Sequence, residues 1–118
     1  MDAYDFVITV LAFSPKYSKT AEDRRVFDSK EFYKTIMGCP EEFLDEIEIT
    51  SNIFGNSETL NEALKHLNHE GFLKICNSGR DYKWDFPLTP EEHFKQIIEP
   101  SLKEGEFSKI EKIVNNII

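Results

Sequence analysis

The stretch that decides the fold is SETLNEALKHLNHEGFLKICNSGRDYKWDFPLT, residues 57–89. Its first half places apolar residues at i, i+3, i+4 and i+7, the spacing of one apolar stripe on a helix. These residues are Leu60, Ala63, Leu64 and Leu67. Gly71 ends the helix, because glycine takes the left-handed conformation of a helix stop at little cost. We therefore predict an amphipathic helix that begins at Ser57, which caps it, and stops before Gly71.

Two short apolar runs follow this helix, at residues 72–76 and 82–86, with the polar turn Asn77–Asp81 between them. In the second run Tyr82, Trp84 and Phe86 alternate with polar residues, which places them on one face of a strand. The pattern predicts a two-stranded hairpin whose aromatic face packs on the helices. Cys76 alternates into the first strand and is predicted to be a core residue.

The segments before residue 57 are predicted to be helical. Residues 3–13 form an apolar segment of helical length, expected to be buried between partners. A second helix is expected from about Glu22 to Met37, with its apolar residues buried. These residues are Val26, Phe27, Phe32, Tyr33 and Ile36. Pro40 opens a short third helix, because a proline at the first helical position loses no hydrogen bond.

The segment after the hairpin predicts two more helical stripes. Thr89 and Glu92 form a capping box that starts a helix, and His93 in its first turn is expected at the surface. The first stripe comprises Phe94, Ile97, Ile98 and Leu102, with Pro100 as a kink. The second comprises Phe107, Ile110, Ile113, Val114 and Ile117. We expect the second stripe to be exposed and to pair with another copy in a homodimer; the alternative is that it closes the core of its own domain.

The central stretch resembles winged helix-turn-helix regulators of the MarR and PadR kind. In that family the recognition helix ends with leucine, polar residues, Glu-Gly and two apolar residues, matched here by Leu67, Glu70, Gly71, Phe72 and Leu73. The next helix begins with Leu-Thr-x-Glu, matched by Leu88, Thr89 and Glu91. The resemblance covers roughly residues 40–95 and implies an α+β, mostly helical winged helix-turn-helix with a two-stranded β-wing and a C-terminal helix. Residues 1–118 are expected to form one domain, with its core at 40–95 and a helical extension at 96–118.

Composition restricts the function classes. The 118-residue chain carries a net charge of −8, and residues 39–72 hold eight acids against Lys65 alone. No apolar run reaches the roughly 20 residues of a membrane span, and Asp2 and Asp5 stand where a secretion signal has basic residues. We expect a cytoplasmic protein with no membrane association. The glycines are scattered singly and no nucleophile motif is present, so we predict neither catalysis nor a cofactor.

Two functions fit the predicted fold. In the leading one, the protein is a transcriptional regulator that binds double-stranded DNA. A recognition helix reads base edges in the major groove, while Lys and Arg neutralise the flanking phosphates. The candidate contacts are Asn61, Lys65, His66, Asn68 and His69 on the helix, with Lys74, Arg80 and Lys83 on the hairpin.

The acidic helices support an alternative function. A strongly acidic surface opposes approach to phosphates, but it can dock on the basic face of another protein. The chain is then a protein-interaction module, such as an antirepressor or an inhibitor of a nucleic-acid-binding protein of phage or mobile-element type. The acidic partner face consists of Glu41, Glu42, Asp45, Glu46, Glu58 and Glu62.

The same helix also carries residues of the types that bind metals. Glu62, His66 and Glu70 lie one turn apart, and imidazole and carboxylate groups can hold zinc. The spacing does not match a known zinc motif, and no third histidine or cysteine pair is nearby. We therefore expect exposed histidines on a polar face and no bound metal.

Overall fold

The computed structural model describes residues 3–17, 26–37, 57–77, 79 and 81–115. Within these residues the chain is α+β and mostly helical. The elements in chain order are α1 (Ala3–Phe13), β1 (Phe27–Asp28), α2 (Ser29–Met37), α3 (Ser57–His69), β2 (Leu73–Cys76), β3 (Asp81–Trp84), α4 (Pro90–His93) and α5 (Glu106–Asn115). A π-helical turn (Phe94–Ile98) and a 3₁₀ turn (Glu99–Ser101) continue α4.

Helix α1 is the centre of the core. Phe6, Val7, Val10 and Leu11 have no exposed surface. The helix packs against α3, α4 with its π-helical continuation, and α5. This arrangement confirms the prediction of a helix buried nearly all round. It also explains the composition of α1, because a helix enclosed on several sides has no polar face.

Helix α3 ends as predicted. Leu64 and Leu67 are buried, and Gly71 has a φ of +88°. The amide of Phe72 donates a hydrogen bond to the carbonyl oxygen of Leu67 at 2.9 Å, which caps the end of the helix. A left-handed residue followed by such a bond is the usual way to satisfy the last carbonyl groups of a helix. The chain then enters β2 within two residues.

The sheet has three antiparallel strands in the order β1-β3-β2. Phe27 pairs with Tyr82 across β1 and β3, and Tyr82 pairs with Ile75 across β3 and β2. The inner face of the sheet carries Phe27, Leu73, Tyr82 and Trp84, all of them buried. The predicted hairpin is thus confirmed, and β1 is an additional strand that the sequence did not predict.

The second helix is shorter than predicted. The Asp28 carboxylate accepts hydrogen bonds from the backbone amides of Lys30 (2.9 Å) and Glu31 (3.0 Å), so α2 begins only at Ser29. Carboxylates at this position satisfy amides that have no partner within the helix. The residues just before it pair with β3, and Val26 is 43% exposed instead of buried. Phe27 and Phe32 are buried as predicted.

Ile97, after the hairpin, and Cys76, within it, are not buried as predicted. Phe94 and Ile98 are buried, but Ile97 is 57% exposed. The i→i+5 bonding of the π-helical turn widens the helix, which takes Ile97 out of phase with its neighbours. In β2, Cys76 is half-buried and its thiol is free, so it is not the core residue that strand alternation predicted.

The C-terminal stripe closes the core of the same chain. Ile110, Ile113 and Val114 of α5 are at most 1% exposed. Phe107 is half-buried, and its ring centroid lies 6.0 Å from that of Phe13 and 5.2 Å from that of Phe94. The expectation of an exposed stripe was therefore wrong for these residues, because α1 and the segment after α4 already cover them. Ile117 lies outside the described residues.

Candidate nucleic-acid interface

The outward side of α3 is polar and accessible. Five of the residues predicted to contact DNA or a partner are exposed there: Asn61, Glu62, Lys65, His66 and His69. They lie opposite Ala63, Leu64 and Leu67, which anchor the helix in the core. The structure thus brings the predicted helix residues together on one surface, and it adds exposed Glu70 to them.

Asn68 does not belong to this surface. Its side-chain amide donates a hydrogen bond to the carbonyl oxygen of Leu73 at 2.8 Å. The side chain is half-buried between the end of α3 and the start of β2. The prediction that Asn68 reads a base is therefore corrected, because its amide is used to hold the helix against the strand.

Tyr4 is part of the surface although nothing in the sequence indicated it. Its ring stacks on the imidazole of His66, with centroids 4.4 Å apart and planes inclined at 30°. Tyr4 is 38% exposed, so the stacked pair faces solvent at the junction of α1 and α3. The contact joins residues far apart in the chain, and only the packing of the two helices brings them together.

Two lysines face each other on the outer side of the hairpin. Lys74 of β2 is directly paired with Lys83 of β3. Directly opposed side chains in an antiparallel pair have Cβ atoms about 5 Å apart, and like charges at that distance destabilise the pair. Within the described part of the chain neither lysine forms an ion pair, and the one ion pair found there joins Lys16 to Glu31 at 2.6 Å. The two ammonium groups are therefore available to an external anion.

The acids on the same side of the sheet are arranged differently. Asp28 and Asp81 are paired across β1 and β3, one row away from the lysines. Asp28 caps α2, as described above, and Asp81 accepts a hydrogen bond from the side-chain amide of Asn77. The outer face of the sheet thus has acids bound within the domain at one row and unpaired lysines at the next.

Other predicted contacts cannot be placed on this surface. Arg80 and the acidic residues Glu41, Glu42, Asp45 and Glu46 lie outside the described residues. The backbone of Glu58 belongs to α3, but its side chain is not described.

Within the described residues no group of three or more His, Cys, Asp or Glu could hold a metal ion. In the same part of the chain no helix combines the length and apolar character that crossing a bilayer requires.

His93 is a functional candidate that the sequence placed at the surface. It is 5% exposed and lies among the rings of Phe72, Trp84 and Phe86. Burial lowers the pKa of its imidazole below the ordinary value. Its place in the first turn of a helix led us to expect an exposed side chain, and the packing of the hairpin on α4 reverses that expectation.

No protein-family model, no curated protein and no solved structure matches the chain.

Proposed function

We propose that the protein is a winged helix-turn-helix DNA-binding domain that acts as a non-catalytic transcriptional regulator. The observation that carries the proposal is the pairing of Lys74 with Lys83 on the outer face of the hairpin, beside a helix whose outward side is polar. In this arrangement α3 is the recognition helix and β2–β3 is the wing.

The junction between α3 and β2 supports this proposal because it makes the helix and hairpin one rigid unit. Two hydrogen bonds cross the junction: Asn68 Nδ2 to the Leu73 oxygen, and the Phe72 amide to the Leu67 oxygen. A helix inserted in the major groove and a wing on the adjacent backbone must keep a fixed relative position, since contacts to phosphates set the register of contacts to bases.

The proposed roles follow from side-chain chemistry. Asn61 can pair with the hydrogen-bonding edge of adenine, and Lys65 can donate to guanine. Lys74 and Lys83 bind backbone phosphates, and Arg80, which immediately precedes β3 in the sequence, is expected to add a further contact. An external phosphate also relieves the repulsion between the two opposed ammonium groups.

The charge of the domain limits how it binds. Glu62 and Glu70 are exposed on α3, and the whole chain carries −8. Non-specific affinity for DNA comes from the release of counterions by basic side chains, so this domain is expected to bind random DNA weakly. Its affinity for a cognate sequence then depends on a small number of well-placed contacts.

The decisive experiment is a fluorescence-anisotropy titration of labelled duplex DNA, including mixed genomic fragments, at about 50 and about 200 mM salt. We expect binding that weakens with salt, and Lys74→Glu or Lys83→Glu should abolish it. Neutralising either lysine as Lys→Gln should reduce the slope of log K against log salt by about 0.9. Lys109→Glu, which places the same charge change on an exposed position of α5, is the matched control.

Two results would contradict the proposal. One is an absence of binding at the lower salt concentration. The other is an equal loss of binding in Lys109→Glu and Lys74→Glu. DNA binding would then depend on the net charge of the domain and not on the hairpin surface. Either result would show that the hairpin lysines do not form a DNA-binding site.

A second candidate function rests on the exposure of Glu62 and Glu70 on the same helix. As a protein-interaction module, the domain would present α3 to the basic surface of a nucleic-acid-binding protein, with charge steering the encounter. Glu62→Lys should then disrupt the complex that co-purifies with the tagged chain, while Lys74→Glu is tolerated. The DNA-binding proposal requires the opposite ranking, so the two variants distinguish the candidates.

A further inference from the structure

His93 is held in a defined position by the start of α4. The Thr89 hydroxyl accepts a hydrogen bond from the backbone amide of Glu92 at 3.2 Å, and the amide of His93 donates to the Thr89 carbonyl oxygen at 2.9 Å. Pro90 fixes the first helical residue. The imidazole therefore projects from a rigid turn, and its surroundings are determined by what packs on that turn.

The hairpin supplies those surroundings. The ring centroid of His93 lies 5.1 Å from that of Phe72, 5.8 Å from Phe86 and 6.5 Å from Trp84, each in an edge-on arrangement. Phe72 and Phe86 also contact each other at 4.5 Å. We call these four residues the aromatic cluster. It joins the base of the hairpin to α4.

Two further hydrogen bonds support the cluster. The amide of Asp85 donates to the Phe72 carbonyl oxygen at 2.9 Å, and the Trp84 indole Nε1 donates to the Leu88 carbonyl oxygen at 2.8 Å. The first bond closes the base of the hairpin, and the second joins Trp84 to the connection that leads to α4. Displacement of His93 from the cluster removes its ring contacts with Phe72, Phe86 and Trp84.

The imidazole carries an unsatisfied polar atom in this apolar setting. Nδ1 of His93 is buried and has no hydrogen-bond partner among the described residues. Such atoms are rare in folded proteins and usually have a specific reason. A charged imidazolium needs hydrogen-bond acceptors or water for both nitrogens, which the rings of the cluster do not offer.

Burial in the aromatic cluster disfavours the charged form of His93. The pKa of His93 is lowered because its imidazole is buried. The charged side chains on the elements packed around it are Asp5 on α1, Lys74, Lys83 and Asp85 on and beside the hairpin, and Glu91, Glu92 and Lys95 on α4 and its continuation.

We propose that His93 is a protonation-controlled latch between the hairpin and α4. The neutral imidazole packs in the aromatic cluster and holds the hairpin base closed. When Nδ1 takes a proton from solvent, the imidazolium moves out to water and the hairpin base separates from α4. This device is a property of the fold and does not depend on what the hairpin binds.

Trp84 provides a direct readout because it is the only tryptophan of the chain and belongs to the cluster. Its fluorescence intensity is to be followed from about pH 8 to about pH 4. We expect a transition with a midpoint below the ordinary histidine value of about 6.5. The transition should be absent in His93→Phe, which cannot take a proton, and unchanged in His69→Gln, which removes an exposed histidine of α3.

Direct observation of the wild-type protein makes the test independent of how the variants fold. Histidine ring resonances and the Trp84 indole N–H signal are followed by NMR in the same pH series. The latch requires that the His93 resonance and the Trp84 indole signal shift with one midpoint. A His93 resonance that titrates while the Trp84 signal stays fixed, or a fluorescence transition that persists in His93→Phe, would overturn the proposal.

Discussion

The side-chain amide of Asn68 donates to the carbonyl oxygen of Leu73 at 2.8 Å, so α3 and β2 are joined by a side chain as well as by the backbone. Asn68→Ala leaves that half-buried carbonyl oxygen without its donor. We expect a loss of about 1–3 kcal/mol in the free energy of unfolding, measured by urea denaturation. Asn61→Ala, at an exposed position of the same helix, is the control and should change stability by less than about 0.5 kcal/mol.

The effects of the two substitutions on DNA affinity should be the reverse of their effects on stability. Asn61→Ala should lower affinity for a cognate duplex because it removes a candidate base contact. Asn68→Ala should bind with nearly normal affinity at a temperature where the variant is folded. Equal stability of the two variants would show that the Asn68 amide does not hold the helix against the strand.

Thr89 is the cap of α4, and its removal should loosen the turn that positions His93. Thr89→Ala removes the acceptor for the amide of Glu92, and loss of such a cap typically costs about 0.5–2 kcal/mol. Thermal unfolding followed by circular dichroism measures the effect. Ser108→Ala, which removes an exposed hydroxyl from α5, should leave the melting temperature nearly unchanged. Thr89→Ser retains the hydroxyl and should restore most of the lost stability.

Ile113 and Ile97 form a matched pair for testing the C-terminal segment. Ile113 has no exposed surface and Ile97 is 57% exposed. Ile113→Ala should lower the free energy of unfolding by about 2–5 kcal/mol, because it removes buried methylenes and leaves a cavity. Ile97→Ala should cost less than about 0.5 kcal/mol.

The same pair tests the predicted homodimer. If α5 closes the core of its own chain, the denaturation midpoints of the wild type and of Ile113→Ala should not change with protein concentration. A midpoint that rises with concentration in the wild type and loses that dependence in Ile113→Ala would place Ile113 in a dimer interface. Sedimentation velocity measures the oligomeric state directly.

His93 should make the fold less stable as the pH falls. Burial lowers its pKa in the folded state, so below the ordinary value of about 6.5 the unfolded chain binds more protons than the folded one. The contribution of neutral His93 to the free energy of unfolding is fully present above that pH. It declines as the pH falls from there to the folded-state pKa of His93. Urea denaturation at about pH 8, 7, 6 and 5 should show this decline in the wild type.

His93→Phe separates this effect from the titration of other groups. Its unfolding free energy should decline less than that of the wild type between about pH 6.5 and the folded-state pKa of His93. His69→Gln should follow the wild type throughout. Parallel profiles for wild type and His93→Phe would mean that His93 has the same proton affinity in both states.

Local sequence patterns were sufficient for α1, α3 and the hairpin. In α3 the apolar spacing and Gly71 specify both the buried face and the end of the helix, and Gly71 has the positive φ that its position requires. Tyr82 and Trp84 alternate as a half-buried strand does, and both are buried. These elements are determined by neighbours within a few residues, which a single sequence displays directly.

The features that the sequence did not predict depend on distant contacts. Strand β1 has two residues and exists through its pairing with β3, more than 50 residues later in the chain. His93 is buried by rings that approach from the hairpin. Asn68 was predicted to read a base. Its hydrogen-bond partner, the carbonyl oxygen of Leu73, lies beyond the end of the helix, so the helical pattern alone did not reveal the bond. In each case the local pattern was compatible with two environments, and tertiary packing selected one.

Helix α1 also has a consequence for folding during synthesis. It ends at Phe13, whereas α5, one of the helices that cover it, begins at Glu106. At a synthesis rate of about 5–20 residues per second, roughly 5–20 seconds pass between the appearance of the two helices. Through that interval the apolar sides of α1 cannot all be enclosed by the chain itself. A nascent chain of this protein is therefore expected to be a client of ribosome-associated chaperones until α5 has emerged.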